Sequence, residues 1–301
     1  MFRGAYTALI TPFKNGKVDY PALDALVENQ IAGGIDGLVP CGTTGESPTL
    51  TDKEHDDVIA FVVKIVNKRV WVIAGTGSNS TAEAIDRTRH AKESGADAAL
   101  LVAPYYNKPN QRGLIAHFSA IADAVEIPQI LYNIPGRSVI NINPETIAEL
   151  SRHRNIVGVK EASGSLEQMI KIKALCSPDF DLISGDDTIT LPVLSVGGVG
   201  VISVTSHLLP GETSSLVHRY LDGKPEESRE IFYKYFDLVK AIMGADVNPT
   251  GIKTALALRG QIAEEYRLPL VPVTADVKEA IRKQLEKYDL LKVKTAAGSS
   301  R

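Results

Sequence analysis

One lysine of this sequence stands where a charged side chain needs an explanation. Lys160 follows a run of β-branched residues, Ile156, Val157 and Val159, which predicts a buried strand that ends at the lysine. Burial disfavours the protonated form of lysine, and the neutral amine is a nucleophile toward carbonyl carbons. Lys160 is therefore a candidate for imine (Schiff-base) chemistry. The alternative is an ordinary lysine that pairs with a carboxylate or extends its amine to the surface.

A second group of candidate residues lies in residues 42–46, Gly-Thr-Thr-Gly-Glu, which we call the threonine turn. Successive backbone N–H groups in such a turn form an anion-binding concavity, and the hydroxyls of Thr43 and Thr44 can add hydrogen bonds or relay protons. A glycine turn with solvated threonines is equally compatible with this pattern. Cys41 precedes the turn. Because no histidine follows a neighbouring strand to activate its thiol, we expect Cys41 to be packed in the core.

Aromatic and basic residues follow two further predicted strands. Tyr105 and Tyr106 stand in a polar loop, where paired tyrosines usually indicate an interface or a ligand contact. Tyr132 ends the next strand, and Arg137 follows in a loop, where an arginine can bind a carboxylate bidentately. A half-buried tyrosine and a surface arginine are the alternative. With Lys160, the set fits imine chemistry in which hydroxyls move protons while the turn and the arginine hold two carboxylates.

The composition excludes several classes of protein. The 301 residues include 33 basic and 36 acidic ones, so a net charge of −3 leaves no basic footprint for nucleic acid. No apolar run approaches the roughly 18 residues of a membrane span. The 2 cysteines form no disulfide framework, and the 6 histidines have no metal-ligand spacing, so we expect no metal. The amino terminus lacks the layout of a signal peptide, which predicts a cytoplasmic location.

Short apolar strands alternate with helical patterns about eight times over roughly 220 residues, as in a barrel enzyme. Alternation implies parallel strands joined by helical crossovers, so the sequence predicts an α/β protein with a (β/α)8 TIM barrel. In such a barrel the reactive residues lie at the carboxyl ends of the strands. A doubly wound sheet is the alternative, but the loop at residues 11–13 has no glycine-rich phosphate fingerprint. Residues 197–200 precede the last strand and predict a tight turn on the opposite face.

Beyond residue 209 the sequence pattern is helical. We predict a catalytic barrel domain over 1–223, a C-terminal helical domain over 224–294 and a disordered tail over 295–301. Two local patterns are also informative. A helix predicted over 51–66 begins with a capping box, and residues 134–142 are expected to form an irregular loop.

A series of motifs resembles the dihydrodipicolinate synthase (4-hydroxy-tetrahydrodipicolinate synthase) family of pyruvate-dependent class I aldolases. The motifs are residues 42–46, 105–107, 132–137, 159–163, 184–187 and 200–204. The resemblance extends from Gly4 to Leu291, nearly the whole chain. It implies a lyase that forms a Schiff base between Lys160 and pyruvate, without a cofactor. The enzyme would condense pyruvate with L-aspartate 4-semialdehyde in lysine and diaminopimelate biosynthesis.

The resemblance also implies roles for the matching residues. Tyr132 would lie beside the lysine and relay protons together with Thr43 and Tyr106. Tyr106 would reach into the site of a neighbouring subunit, in a homotetramer built as a dimer of dimers. Thr43 and Thr44 would hold the pyruvate carboxylate, and the backbone of Ile202 would lie against the bound pyruvate.

Arg137 separates this family from its relatives and would receive the carboxylate of the semialdehyde. Sialic acid lyases and keto-deoxy sugar acid aldolases generally lack an arginine here, because their substrates carry hydroxyls. A pyruvate-dependent lyase of that kind is the alternative function, and a non-catalytic barrel that serves as a binding protein is a third hypothesis. Ser138 and Val139 follow, where the family commonly has Thr-Gly, so the shape of this loop is expected to differ.

Many members of the family are inhibited by lysine in a cleft at a subunit interface. The matching positions here are Ser47, Pro48, Leu50, His55, Asn79, Glu83 and Tyr105. Glu83 is expected to pair with the ammonium of lysine, and Asn79 and Tyr105 to hydrogen-bond its carboxylate. Asp52 stands where sensitive members often carry a basic or polar residue, and its charge is expected to weaken lysine binding.

Overall fold

A closed barrel of eight parallel strands forms the centre of the structure, which confirms the predicted fold class. The computed structural model describes residues 1–291, so the predicted tail at 295–301 lies outside the described residues. The strands of residues 1–291 are β1 (Gly4–Ala8), β2 (Phe13–Lys14), β3 (Lys17–Val18), β4 (Gly37–Val39), β5 (Trp71–Gly75), β6 (Ala98–Val102), β7 (Gln129–Asn133), β8 (Ile156–Glu161), β9 (Asp181–Ser184) and β10 (Gly200–Ser203). Strands β4 to β10 follow β1 around the barrel, and β10 closes it by pairing with β1.

Helices connect the barrel strands and continue beyond them. They are α1 (Tyr20–Ala32), α2 (Asp52–Val66), α3 (Thr81–Glu93), α4 (Gln111–Ala124), α5 (Pro135–Ser138), α6 (Pro144–Leu150), α7 (Leu166–Leu175), α8 (Thr190–Ser195), α9 (Pro210–Leu221), α10 (Pro225–Met243), α11 (Thr250–Leu258) and α12 (Ala275–Lys287). Single turns of 3₁₀ helix lie at Ser47–Thr49, Asp187–Ile189 and Thr205–His207. Helices α10 to α12 form the predicted C-terminal helical extension. The division at residues 223 and 224 into two domains stays a prediction.

The strand register aligns the carboxyl ends of three neighbouring strands. Tyr132 of β7 lies beside Lys160 of β8, and Lys160 lies beside Ile183 of β9. Because parallel strands end at the same rim of a barrel, these residues and the loops that follow them share one face. The opposite face carries the turn at residues 197–200, as predicted. A Cβ on Gly200 would lie 2.0 Å from the carbonyl oxygen of Gly4, so only glycine fits this close approach.

The sequence predicts most element limits to within a few residues but misses one hairpin. Helix α2 begins with the predicted capping box: Glu54 N–H donates to Thr51 Oγ1 over 3.2 Å, and Thr51 N–H donates to the Glu54 carboxylate over 3.0 Å. The missed hairpin joins β2 to β3 through Asn15 and Gly16, which have φ values of 53° and 76°. Both residues adopt the left-handed conformation that a tight two-residue hairpin turn requires.

The core fills the barrel and the layer between the strands and the surrounding helices. Large buried side chains include Phe2, Tyr6 and Phe13 near the first strand and Phe118 on the buried face of α4. Cys41 is buried, as expected, and burial raises the pKa of its thiol. Across residues 1–291, the helices are all too short or too polar to cross a membrane.

Candidate active site

The Lys160 amine is buried at the carboxyl end of β8. The residue is 6% exposed, and its Nζ lies 4.2 Å from the centre of the Tyr132 ring. Burial lowers the pKa of Lys160 to about 7, while the charge of Asp187 opposes this shift and that of Arg137 adds to it. Because so little of the side chain is exposed, the alternative of a surface lysine is excluded. An amine in this state is neutral near physiological pH and able to attack a carbonyl carbon.

Glu161 follows Lys160 in the chain but does not neutralise it. Its carboxylate accepts hydrogen bonds from Asn133 Nδ2 over 2.9 Å, from Gln168 Nε2 over 3.0 Å and from Ser163 N–H over 2.7 Å. Successive residues of a strand point in opposite directions, so these contacts lie on the far side of β8 from the lysine amine. Glu161 is therefore not the salt-bridge partner of Lys160.

Tyr132 supplies a hydroxyl next to the lysine. The residue is 5% exposed, and burial raises the pKa of its phenol to about 12, although Arg137 and a hydrogen bond with Thr43 oppose the shift. The phenol therefore stays protonated where the neighbouring amine is neutral. A protonated phenol beside a nucleophilic amine, with a threonine hydroxyl next to it, can give a proton to a departing oxygen and recover it.

The threonine turn presents donors for an anion. Its own hydrogen bonds run from Gly45 N–H to the Gly42 carbonyl and from Glu46 N–H to the Thr43 carbonyl, both over 3.1 Å. The N–H groups of Thr43 and Thr44 donate to no acceptor within residues 1–291. Free N–H groups at a turn can bind a carboxylate through charge-assisted hydrogen bonds. The turn thus has the geometry that the sequence predicts for an anion site.

A cavity of about 220 Å³ opens beside these residues. Its walls include four of the predicted groups: the threonine turn through Thr43, the phenol of Tyr132, the guanidinium of Arg137 and the ring of Tyr105. Lys160, Thr44 and Ile202 are not among its lining residues. All three are buried, and Lys160 lies against the ring of one lining residue, Tyr132. The cavity is therefore walled by the candidate proton relay and by groups able to bind carboxylates, with the lysine amine covered by the Tyr132 ring.

Asn248 joins two of the predicted binding groups and was missed by the sequence analysis. Its side-chain Nδ2 donates to Thr44 Oγ1 over 2.9 Å, and its carbonyl accepts from Arg137 Nη2 over 3.0 Å. The residue lies just before α11, more than a hundred residues from Arg137 in the chain. No local pattern marked Asn248, because its contacts exist only after the extension packs on the barrel.

Asp187 is a second residue of the site to which the sequence analysis assigned no role. Its buried carboxylate accepts hydrogen bonds from the hydroxyls of Ser203 and Thr205 over 2.5 and 2.7 Å and from Val204 N–H over 2.9 Å. Burial raises the pKa of Asp187, and these donors oppose the shift because they favour the anion. The Asp187 charge acts on Lys160 in the direction that favours its ammonium.

The predicted lysine-binding positions are only partly brought together. Ser47, Pro48 and Tyr105 line the cavity, whereas Leu50, His55, Asn79 and Glu83 do not. His55 is buried and its Nε2 lies 2.9 Å from the Gly75 carbonyl, while Asn79 accepts a hydrogen bond through its carbonyl from Asn107 Nδ2 over 2.8 Å. These contacts of His55 and Asn79 are compatible with a structural role as well as with a binding role.

Arg87 contacts two acidic residues at or near the predicted lysine-binding positions, Asp52 and Glu83, and was not predicted. Its Nη2 donates to the carboxylates of Asp52 and Glu83, each over 3.1 Å, and Ser78 also donates to Glu83. The charge of Asp52, which was expected to weaken lysine binding, is therefore balanced by an arginine. The same arginine lines the cavity.

Tyr106 stands apart from the cavity. The residue is 88% exposed, its φ of 68° is left-handed, and it is not among the residues that line the cavity. Within residues 1–291, no group of three or more His, Cys, Asp and Glu side chains is arranged to hold a metal ion.

Comparisons with known proteins agree with the geometry. The model of the dihydrodipicolinate synthetase family matches residues 1–288. The 4-hydroxy-tetrahydrodipicolinate synthase of Citrifermentans bemidjiense is 54% identical over 291 residues, which cover 97% of this chain and 100% of the relative. The crystal structure of dihydrodipicolinate synthase from Aquifex aeolicus gives a TM-score of 0.95 at 46% identity, over 96% of this chain and 99% of that one. The enzyme from Cyanidioschyzon merolae with lysine bound gives 0.93 at 45% identity, over 96% and 99%. On the strength of the family match and these near-full-length likenesses, the chain belongs to the dihydrodipicolinate synthetase family.

Proposed function

We propose that this protein is a 4-hydroxy-tetrahydrodipicolinate synthase, a lyase that condenses pyruvate with L-aspartate 4-semialdehyde through a Schiff base on Lys160. The observation that carries the proposal is the buried Lys160 amine against the Tyr132 ring, at the rim where the other candidate groups gather. Two relatives that are each 54% identical to this chain in sequence are named 4-hydroxy-tetrahydrodipicolinate synthase, which supports the same reaction. No cofactor is required, because the imine itself is the electron sink.

The first half of the reaction builds the imine. The neutral Lys160 amine attacks the keto carbon of pyruvate, whose carboxylate is held by the N–H and hydroxyl groups of Thr43 and Thr44. The tetrahedral carbon then loses its oxygen as water, with a proton supplied through Tyr132 and Thr43. The backbone of Ile202, a residue buried in β10, lies against the bound pyruvate. The affinity for pyruvate in this step therefore depends on the threonine turn.

The second half forms the new carbon–carbon bond. Loss of a proton from the methyl group converts the protonated imine into an enamine, whose terminal carbon attacks the aldehyde of the semialdehyde. Arg137 binds the carboxylate of that second substrate at the cavity wall, where its guanidinium is held by the Asn248 carbonyl. The amine of the semialdehyde then attacks the imine carbon, which closes the ring, releases the Lys160 amine and gives 4-hydroxy-tetrahydrodipicolinate with the net loss of one water.

Reduction with borohydride in the presence of pyruvate tests the imine. The wild-type protein should gain the mass of one reduced pyruvate on the peptide that contains Lys160, and Lys160→Met should gain none. Lys173→Met is a matched control, because Lys173 lies on α7 and donates to the Phe180 carbonyl away from the site. A folded wild-type protein that gains no mass on this peptide would falsify the enzyme proposal.

Arg137→Ala tests the second substrate. This variant should lose about a hundredfold in kcat/KM for the semialdehyde, because hydrogen bonds to a charged group contribute about 1.5 to 3 kcal/mol. Trapping of pyruvate should continue. Arg154→Ala, which removes a surface ion pair with Glu126, serves as the control. An equal loss with a sugar-derived aldehyde would favour the alternative, a lyase of the sialic acid or keto-deoxy sugar acid type.

We also propose that lysine inhibits the enzyme at the cavity wall formed by Ser47, Pro48 and Tyr105, as a site like that of the lysine-bound relative. The Glu83 carboxylate would bind the ammonium of lysine, but Arg87 and Ser78 already occupy it. Inhibition should therefore be weak in the wild-type protein. Freeing Glu83 should strengthen it.

Arg87→Leu tests this competition. The variant should require a lower lysine concentration for half-maximal inhibition, whereas Arg89→Leu, which breaks an exposed pair with Asp86 on the same helix, should leave it unchanged. Equal inhibition of the wild type and Arg87→Leu by lysine would show that Glu83 does not bind the ammonium of lysine.

A homotetramer, built as a dimer of dimers, completes the proposal, with Tyr106 of each subunit reaching a neighbouring site. The exposure of its ring supports this arrangement. Light scattering after size-exclusion chromatography measures the mass, and a monomer with full activity would contradict it. The cytoplasmic location stays a prediction, which cell fractionation can test.

A further inference from the structure

A buried ion pair lies directly beneath the threonine turn. Lys253 of α11 and Glu46, the last residue of the turn, have side chains that are both 0% exposed, and Lys253 Nζ donates to Glu46 Oε1 over 2.5 Å. The two residues are 207 positions apart in the chain. The pair therefore connects the extension to the loop that bears Thr43 and Thr44.

Aromatic rings and a backbone donor complete the surroundings of the pair. Lys253 Nζ lies 4.4 Å from the centre of the Phe13 ring and 5.3 Å from that of Tyr266. The second oxygen of Glu46 accepts a hydrogen bond from Arg267 N–H over 3.3 Å. Both charges are thus enclosed by protein groups, and neither side chain is exposed to solvent.

Stability alone is a weak explanation for such a pair. Removing two charges from water costs more than their attraction generally returns, and apolar residues of similar volume often serve a core as well or better. Burial lowers the pKa of Lys253, which shows the strain of keeping its ammonium here, and Glu46 opposes that shift. The pair is better explained by the segment that it positions, the threonine turn.

The pair holds a turn whose backbone is strained at both ends. Cys41 and Glu46 both have a φ of 55°, a left-handed conformation that costs energy for residues other than glycine. Within the turn, the Gly45 carbonyl accepts from Thr11 Oγ1 over 2.7 Å. Strained conformations persist only where the surroundings over-determine them, and Glu46 is anchored from α11.

We infer that Lys253 is a positioning residue for the pyruvate carboxylate, because its buried contact with Glu46 sets the orientation of the Thr43 and Thr44 donors. The inference rests on the proposed function of the threonine turn. It assigns to the extension a part in substrate binding, through the Lys253–Glu46 pair beneath the turn and through Asn248 at Thr44. Lys253 itself touches no substrate.

The test is a pair of variants assayed for pyruvate dependence. Lys253→Met leaves the Glu46 carboxylate without its partner, and the double variant Glu46→Gln with Lys253→Met removes both charges at nearly constant volume. In both, the pyruvate KM should rise about tenfold or more, the scale of a weakened charge-assisted contact, while kcat changes less than about threefold. The kcat is affected less than the KM because Lys160 and Tyr132 belong to other strands, and the Thr43 hydroxyl alone of the relay groups lies on the turn.

This split separates positioning from a merely structural part. A variant that is only partly folded loses active enzyme, so its apparent kcat falls at an unchanged KM. The double variant should keep a thermal midpoint close to that of the wild type, since no unpaired charge remains. Lys287→Met, which removes an exposed pair between Lys287 of α12 and Asp237 of α10, is the control and should keep the wild-type pyruvate KM.

Three outcomes decide the inference. A raised pyruvate KM in a folded double variant, matched by a higher pyruvate concentration for half-maximal borohydride trapping, supports it. An unchanged KM in both variants overturns it, as does a fall in kcat alone. Failure of the proposed function itself is distinct, because then the wild-type protein would trap no pyruvate on Lys160 at any concentration.

Discussion

Imine formation on Lys160 should depend on pH with a midpoint near 7. The buried amine has its pKa lowered to about 7, so the reactive neutral form predominates above that pH and disappears below it. At pH 8 such a group is about 90% neutral, whereas an ordinary lysine with a pKa near 10.4 is about 0.4% neutral. The surroundings of Lys160, burial above all, thus raise the concentration of the neutral amine about 200-fold at that pH.

The assay is the rate of reductive trapping with cyanoborohydride at low pyruvate concentration, measured between pH 5.5 and 9. Low pyruvate reports the free enzyme, so the profile gives the pKa of the unliganded amine. The rate should rise about tenfold per pH unit below the midpoint and become level above it. The Tyr132 phenol, with a pKa of about 12, stays protonated over this range and adds no second limb.

Two variants should move the midpoint in opposite directions. The Asp187 charge raises the pKa of Lys160, so Asp187→Asn should move the midpoint to lower pH. The Arg137 charge lowers that pKa, so Arg137→Ala should move it to higher pH. Arg154→Ala, far from the amine, should leave it in place.

The result that refutes this reasoning is a trapping rate that still rises tenfold between pH 8 and pH 9, as for an ordinary exposed lysine. Shifts of both variants in the same direction would refute the electrostatic part alone. In that case a rearranged site, rather than the two charges, would control the amine.

Three further changes have direct expectations. Tyr106→Phe should lower kcat about a hundredfold, the scale of one proton-transfer group, and leave trapping of pyruvate on Lys160 intact; unaltered turnover counts against the relay. Val139 caps α5 with a φ of 65°, which is strained for a β-branched residue, so Val139→Gly should raise the free energy of unfolding by about 0.5 to 1 kcal/mol in denaturant titrations. Thr51→Ala should lower it by about 1 kcal/mol, because the Glu54 N–H at the start of α2 loses the Thr51 hydroxyl as its acceptor, and an unchanged free energy of unfolding would show that this cap does not stabilise the protein.

Local sequence patterns predicted the barrel because each strand and helix carries its own periodicity. The α2 cap follows from residues three positions apart, and the alignment of Tyr132 with Lys160 follows from two strands that are neighbours in both chain and space. The predicted irregular loop at 134–142 contains a helical turn, α5, whose proline at the first position was an available indication. The hairpin at Asn15 and Gly16 was likewise marked by a dipeptide that favours such turns.

The rest of the site was beyond local patterns. Asn248 and Lys253 contact Thr44 and Glu46 across about two hundred residues, and an asparagine or lysine near a helix is by itself unremarkable. Arg87 was overlooked for a different reason. The sequence assigns a ligand as the partner of Glu83, whereas the structure pairs Glu83 with Arg87, its neighbour four positions along the same helix.

The contact between Glu46 and Lys253 also has a consequence for synthesis on the ribosome. Chains grow from the amino terminus at about 5 to 20 residues per second, so Lys253 follows Glu46 by roughly 10 to 40 seconds. The last six of the eight barrel strands are made during that interval, yet the Glu46 carboxylate lacks its counterion and must stay hydrated. A nascent barrel is therefore expected to keep the threonine turn open until α11 emerges, which makes completion of the pyruvate site one of the last events in folding.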